Sequence, residues 1–327
     1  MVSSPAFKKY LTICISAAFL IGILFFGLTS GAVEIDFFNM TNVQKDILLH
    51  VRGPRVILAA LVGAALSLSG ALFQYVMKNP LADSFTTGVS SSSAMGAVVA
   101  IMIGTIKLIP IFALVSGLIG LYAVYRISSV KGSVQPITML LAGIVIHTFA
   151  ASVISLMKFL SDDAVSSIIF WLMGGFQAAS LENISVLAVV LIFSILVMRT
   201  EFLSLDIISF DDTTAASSGV NVDRLRKKAF FIAALLTAIS VGYAGIIGFV
   251  GLIIPHMVRL LKFVKASDLI PISLLIGAGF MVLNDLIART AMGDGRELAV
   301  GIITSFIGGL FFLYLLIKRK RELFYFD

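Results

Sequence analysis

Charge is scarce in this chain. Asp, Glu, Lys and Arg together make up 13% of its 327 residues, against 59% hydrophobic residues. The mean hydropathy of +1.07 is too apolar for the water-facing surface of a soluble fold. A single cysteine, Cys14, lies inside an apolar run, which excludes a disulfide framework and a thiolate metal cluster. Three histidines, His50, His147 and His256, stand far apart, and no carboxylates cluster at ligand spacing, so no metal site is expected. His147, alone among apolar residues, reads as a hydrogen-bonded packing residue rather than a ligand to iron or haem. The phosphate loop Gly-x-x-x-x-Gly-Lys-Ser/Thr is missing, as are the His-Glu-x-x-His zinc motif and a Gly-x-Ser-Gly serine motif. Neither ATP hydrolysis nor intramembrane proteolysis is therefore expected of this chain, and it is read as a non-enzyme with no cofactor of its own.

What is present is apolar length. About ten stretches, near 10–31, 54–77, 88–106, 108–126, 136–160, 183–200, 228–246, 249–264, 269–291 and 298–317, are long enough to cross a bilayer at about 17 to 25 residues each. Lipid offers no partner for backbone polar groups, so helices or a closed barrel are the possible spanning forms. Runs such as 10–31 are apolar on every side and lack the alternation of barrel strands. The fold expected is all-α, a polytopic bundle of about ten transmembrane helices forming a single domain over 1–327. The seventh and eighth spans share one apolar run, 228–264, broken only at its glycines, which leaves nine helices as the alternative count.

Lysine and arginine collect on the cytoplasmic side of membrane proteins. With ten spans and both termini inside, 17 of the 24 Lys and Arg fall on that side, including Lys8, Lys9, Arg224–Lys228 and Lys318–Arg321, while the acids divide evenly. A multi-pass protein of the cell membrane with both termini cytoplasmic is expected. The net charge of +6 is explained by this topology, and no groove of cations with interleaved aromatics suggests nucleic acid. The first span follows Lys8 and Lys9 without a small-residue cleavage site and is read as a retained anchor.

Several motifs punctuate the spans. Arg52-Gly53-Pro54-Arg55 opens the second, whose small residues Ala60, Ala64, Ala65, Ser67, Ser69, Gly70 and Ala71 permit close helix approach. Lys78-Asn79-Pro80-Leu81-Ala82-Asp83 should end it, because Pro80 lacks an amide hydrogen and pushes Asn79 out of the helical region. The polar insert of about 201–228 carries Asp211-Asp212-Thr213-Thr214-Ala215 and Ser218-Gly219-Val220-Asn221-Val222, which suits two short helices joined at a glycine turn before a basic cluster. Later blocks read Gly245-Ile-Ile-Gly-Phe-Val-Gly-Leu-Ile-Ile-Pro-His256, then Asn284-Asp285 with Arg289, Glu297-Leu298-Ala299 and Gly308-Gly309. Asp285 and Arg289, at i,i+4, suit an intrahelical ion pair. Residues 161–182, with Asp162, Asp163, Trp171 and Gly174-Gly175, read as a short outer helix near the mouth of a path.

Together these blocks resemble the permease subunits of the iron-chelate and cobalamin importers, the FecCD-like type II ABC importers, over nearly the whole chain. Ser92-Ser93-Ala94 and Leu298-Ala299 depart from the family's usual residues without removing a charged group. The resemblance implies a second permease subunit, identical or related, around a central path, a cytosolic ABC ATPase dimer that binds ATP and magnesium, and an extracytoplasmic substrate-binding protein, all in membrane lipid and without nucleic acid. It implies that Asp211, Thr214, Ala215, Ser218, Gly219 and Val220 contact the ATPase. It also places binding-protein docking at Arg52, Arg55, Arg289 and Arg296, and an inner gate at Gln135, Pro136, Ile137 and Thr138. The implied cargo is a ferric siderophore or haem-type chelate, with cobalamin as the alternative. An ion-driven secondary transporter would need intramembrane acids or broken helices near the midplane, and the acids here sit mostly at span ends.

Overall fold

Long apolar runs with few prolines satisfy their own backbone groups as helices, and the computed structural model, which describes residues 5–31, 35, 40–130, 133–161, 164–292 and 296–318, shows them throughout. In chain order the helices are α1 (Pro5–Thr29), α2 (Asn42–Asp46), α3 (Gly53–Met77), α4 (Val89–Met102), α5 (Ile109–Ser128), α6 (Pro136–Leu160), α7 (Val165–Leu172), α8 (Leu181–Arg199), α9 (Phe202–Phe210), α10 (Asp212–Ser217), α11 (Val222–Ala244), α12 (Val250–Leu260), α13 (Ala266–Thr290) and α14 (Val300–Lys318). A π-helical turn, Ile47–Arg52, leads into α3. The only extended pairing among the described residues is between β1 (Ser129–Val130) and β2 (Ser133–Val134), antiparallel with Ser129 opposite Val134. Asp162, Asp163 and the basic residues 319–321 lie outside the described residues.

Helices occupy all ten expected places, but two of those places correct the expectation. Among the described residues eight helices are long and apolar enough to cross a membrane, whereas Val89–Met102 and Val250–Leu260 are shorter. At 1.5 Å per residue, α4 and α12 reach only about 21 and 17 Å, against a hydrocarbon core of about 30 Å. Each is preceded by non-helical backbone, 78–88 before α4 and 245–249 before α12. Such backbone is tolerated at membrane depth only where protein surrounds it. The same order, long helix, break, short helix, long helix, thus occurs in α3–α5 and again in α11–α13.

The α3 helix forms the axis of the bundle and is buried along most of its length. Its small residues let neighbours touch it backbone to backbone. A Cβ on Gly63 would lie 2.2 Å from the Gly277 carbonyl oxygen of α13, and one on Gly70 would lie 1.9 Å from the Gly251 carbonyl of α12. Between α3 and α11, the Ser69 hydroxyl reaches the Ala233 carbonyl at 2.8 Å and the Thr237 hydroxyl at 2.7 Å. The serines that depart from the family pattern serve a similar contact: Ser92 and Ser93 of α4 pack onto Gly120 and Gly117 of α5.

The expected stop at Asn79-Pro80 is present. Lys78 closes α3 in the left-handed conformation at φ 48°, and the Asn79 side chain accepts the Leu81 amide at 2.9 Å. The break between α11 and α12 is set by Gly245 at φ 69°. A side chain there would strike the Trp171 carbonyl, 2.2 Å from the Cβ position.

Candidate functional site

The polar insert folds as α9 and α10 at the end of the bundle where α3 finishes and α11 begins. Asp211 starts α10 by accepting the Thr214 amide at 3.0 Å and the Thr213 hydroxyl. These bonds, that of Thr213 foremost, hold its carboxyl down at about 2. Gly219 at φ 85° lets the chain reverse, with its own amide on the Ala216 carbonyl and the Val220 amide on the Ala215 carbonyl, each at 3.0 Å. Asn221 then caps α11 by accepting the Arg224 amide at 3.0 Å. The glycine turn expected between two short helices joins α10 to α11 instead, and α9 and α10 are separated by Asp211.

Of the residues assigned to partner contact, Asp211, Thr214, Ser218 and Gly219 are exposed. Ala215 is fully buried and Val220 packs half-buried against the core. Ala215 corrects the sequence reading, because it anchors α10 to its own chain and presents no surface to a partner.

Asp212, which the sequence reading did not single out, lies on the inner side of α10. Its carboxylate is 2.7 Å from the Lys78 ammonium and 2.9 Å from the Arg226 guanidinium. Burial alone would raise this carboxyl, but the hydrogen bond from Lys78 and the charge of Arg226 outweigh it and hold it below the usual range. Arg226, only 2% exposed, donates in turn to the Val134 carbonyl of β2 at 3.3 Å. The Val134 amide points to Asp223 of α11 at 3.5 Å. Through Arg226 one carboxylate therefore joins the short surface helix, the end of α3, the start of α11 and the strand β2 that precedes α6. The only trace in the sequence was a doubled aspartate, since nothing in the basic cluster Arg224–Lys228 marks Arg226 as the buried member.

The four gate candidates follow directly. Gln135 has extended backbone and Pro136 occupies the first turn of α6. Ile137 is 78% exposed, so the end of α6 presents an apolar side chain that no described residue covers.

At the opposite end of α3 the arginines turn inward, which corrects the expectation of an outward docking rim. Arg55 donates to Asp285 at 2.9 Å and to Glu297 at 2.8 and 2.9 Å. Arg289 pairs with Asp285 at 3.1 Å and donates to the Gly27 carbonyl at 2.9 Å. Arg52 donates to the Thr29 carbonyl at 2.8 Å and that of Leu28 at 3.2 Å. Arg52 and Arg289 thus satisfy the last carbonyls of α1, groups that a helix leaves unpaired at its C-terminus. The Asp285–Arg289 pair is the structural pair that its spacing suggested. Of the four docking candidates only Arg296 is exposed, and it adjoins Glu297, which also accepts a bond from Gln177 at 3.3 Å.

Between the two ends lies a cavity of about 950 Å³, bordered by Asp83, Phe85, Phe249, Ser305, Phe306 and Phe312 among others. Its wall is aromatic and aliphatic, and it borders both broken stretches. Asp83 spends one carboxylate oxygen on the amides of Phe85 and Thr86, at 3.0 and 2.9 Å. The short helix expected near a mouth is α7, and Leu172 and Met173 at its end line the cavity. Beyond it the Gly174 carbonyl accepts the Val300 amide at 3.1 Å, and the Gly175 amide donates to Ala244 at 2.9 Å. His147 is hydrogen-bonded to Ser91 and meets the Phe85 ring edge-on at 6.4 Å, as a packing residue would. No metal-holding group of three or more His, Cys, Asp or Glu occurs among the described residues.

A description of the FecCD transport family matches residues 15–318. The chain belongs to this family. It is 36% identical to the cobalamin import system permease protein of Halobacterium salinarum over 287 residues, 87% of this chain and 76% of that protein. It is 30% identical to the hemin transport system permease protein of Yersinia pestis over 305 residues, 89% and 91% of the two. A solved inward-facing conformation of a metal-chelate type ABC transporter superposes with a TM-score of 0.86 at 30% identity, covering 94% of this chain and 98% of that one. The chain is a multi-pass membrane permease of the ABC importer class.

Proposed function

We propose that this chain carries an iron chelate, a ferric siderophore or haem, inward across the cytoplasmic membrane, paired with a second permease subunit, powered by a cytosolic ATPase dimer and fed by an extracytoplasmic binding protein. Both termini and α10 face the cytosol in this reading, consistent with the bias of lysine and arginine toward that end. The carrying observation is the ion-paired connection from the exposed face of α10, through Asp212 and Arg226, to the turn before α6. A load applied to α10 by a partner has a route to the candidate gate.

The apolar cavity suits a bulky chelate that must be released rather than held, because it offers few polar groups to bind one. Recognition then belongs to the binding protein. Cobalamin is the second reading, favoured by the 36% identity to a cobalamin permease. Of the docking residues, Arg296 keeps the assigned role through its exposure, and the buried arginines hold the surrounding frame.

The test is uptake by proteoliposomes containing the chain with its partner ATPase and binding protein. Accumulation of a ferric siderophore or haem that requires ATP supports the reading. Accumulation of cobalamin alone selects the alternative, and uptake driven by an ion gradient without ATP overturns both.

A further inference from the structure

Away from the central cavity and the gate, a groove of about 1270 Å³ lies between α8–α9 and the first turns of α13. Ile195, Leu203, Ile270 and Leu274 line its apolar part, while Arg199, Lys265 and Ser267 stand at its head. The local charge is unbalanced. Glu201 is already paired with Lys228 at 2.7 Å and Asp268 with Lys9 at 2.5 Å. Asp206, the one acid lining the groove, accepts the Ala266 amide at 2.7 Å. Among the described residues neither Arg199 nor Lys265 makes a close ion pair, and the charge of Lys265 is felt by Asp206, so one cation stays in excess.

The groove also has a direction. Arg199 ends the span of α8 and Lys265 precedes that of α13, so the cations lie at the membrane surface and the aliphatic residues lead from it toward the apolar spans. A soluble anion would leave the apolar wall bare, and a zwitterionic lipid would leave the net positive charge of Arg199, Lys265 and Asp206 together without a counter-charge. We propose that the groove seats one anionic phospholipid, its phosphate between Arg199 and Lys265 and an acyl chain along Ile195, Ile270 and Leu274. Because α9 runs straight into Asp211 and α10, the lipid braces the segment that carries the exposed insert. This inference does not depend on the transport reading.

Native mass spectrometry of the full chain, released from detergent with phosphatidylglycerol or phosphatidylcholine added in turn, tests it. The wild type should retain one phosphatidylglycerol in preference to phosphatidylcholine. Arg199→Gln and Lys265→Gln should each weaken that retention about fivefold, while the charge-keeping pair Arg199→Lys with Lys265→Arg preserves it. Leu274→Trp, which fills the apolar wall and spares both cations, should also displace the lipid and guards against misfolding of the charge variants. Equal retention of the two lipids, or unchanged retention in both Gln variants, overturns the proposal. So does loss of the lipid when the ATPase binds, which would make the groove a protein contact.

Discussion

The carboxylate of Asp212 lies 2.9 Å from the guanidinium of Arg226, and the two are unequally placed: the arginine side chain is 2% exposed and the aspartate 41%. The aspartate can be removed at moderate cost to the fold, but the arginine would then keep only a carbonyl for company. Asp212→Ala should lower transport per ATP hydrolysed several-fold while the subunit still assembles with its ATPase. Breaking a fully buried pair costs about 3–5 kcal/mol, and with the aspartate partly solvated about 1–2 kcal/mol is expected here. Uptake and hydrolysis measured together in proteoliposomes check this, and an unchanged ratio removes Asp212 from the coupling path.

Gly219 offers a second test at the same surface. Its φ of 85° disfavours other residues, and a Cβ there would meet nothing within 4 Å. Gly219→Val should therefore strain the turn by about 1–3 kcal/mol without an internal clash and reduce ATP-driven uptake. Normal uptake at normal expression would count against the assigned contact.

The α10 cap has a defined pH response. The Asp211 carboxyl is held at about 2 in the fold, below the ordinary aspartate value of about 3.9, so its stabilising contribution is complete above the unfolded value and disappears as pH falls through the folded one. Hydrogen exchange at the Thr214 amide, corrected for intrinsic rate, should show constant protection from pH 7 to about 4 and loss toward about 2. Loss of protection near pH 6 would contradict the assignment.

At the other end, Asp285→Ala leaves the buried guanidiniums of Arg55 and Arg289 without their shared acid. A loss of about 3–5 kcal/mol is expected, read as a large drop in thermal unfolding temperature in detergent. Glu297→Gln should cost much less, because its side chain is 33% exposed. Charge reversal at Arg52 and Arg55 should likewise act on stability, whereas reversal at the exposed Arg296 should weaken capture of the binding protein.

Helix contacts without side chains tolerate no addition. Gly70→Ala would push its Cβ to 1.9 Å from the Gly251 carbonyl and force α3 and α12 apart, at a cost of about 3 kcal/mol or more. Gly309→Ala meets nothing within 4 Å and should melt like the parent chain.

Much of this architecture was legible in the sequence because its causes are local. Apolar run length located ten helices and Asn79-Pro80 the end of α3, and the glycine turn at Gly219 was foreseen, though it joins α10 to α11 rather than two short helices. The orientation of Arg52 and Arg55 was not legible. The partner of Arg55, Asp285, stands 230 residues away, and the partners of Arg52 are backbone carbonyls that carry no side-chain signature. Hydropathy also overcounted full crossings at α4 and α12, since buried non-helical backbone beside a short helix is as apolar as a longer helix. Asp212 escaped notice because its significance rests on Lys78 and Arg226, brought together only by the antiparallel packing of α3 and α11.

Where Gly70 meets Gly251, two main chains interlock with no flexible group between them. Sliding α12 lengthwise past α3 would first require prising them apart, so the pair behaves mechanically as a single strut. Under the proposed transport reading, rearrangement of the bundle must then be carried by parts hinged on that strut, among which α6 and α8 expose the most uncovered aliphatic surface.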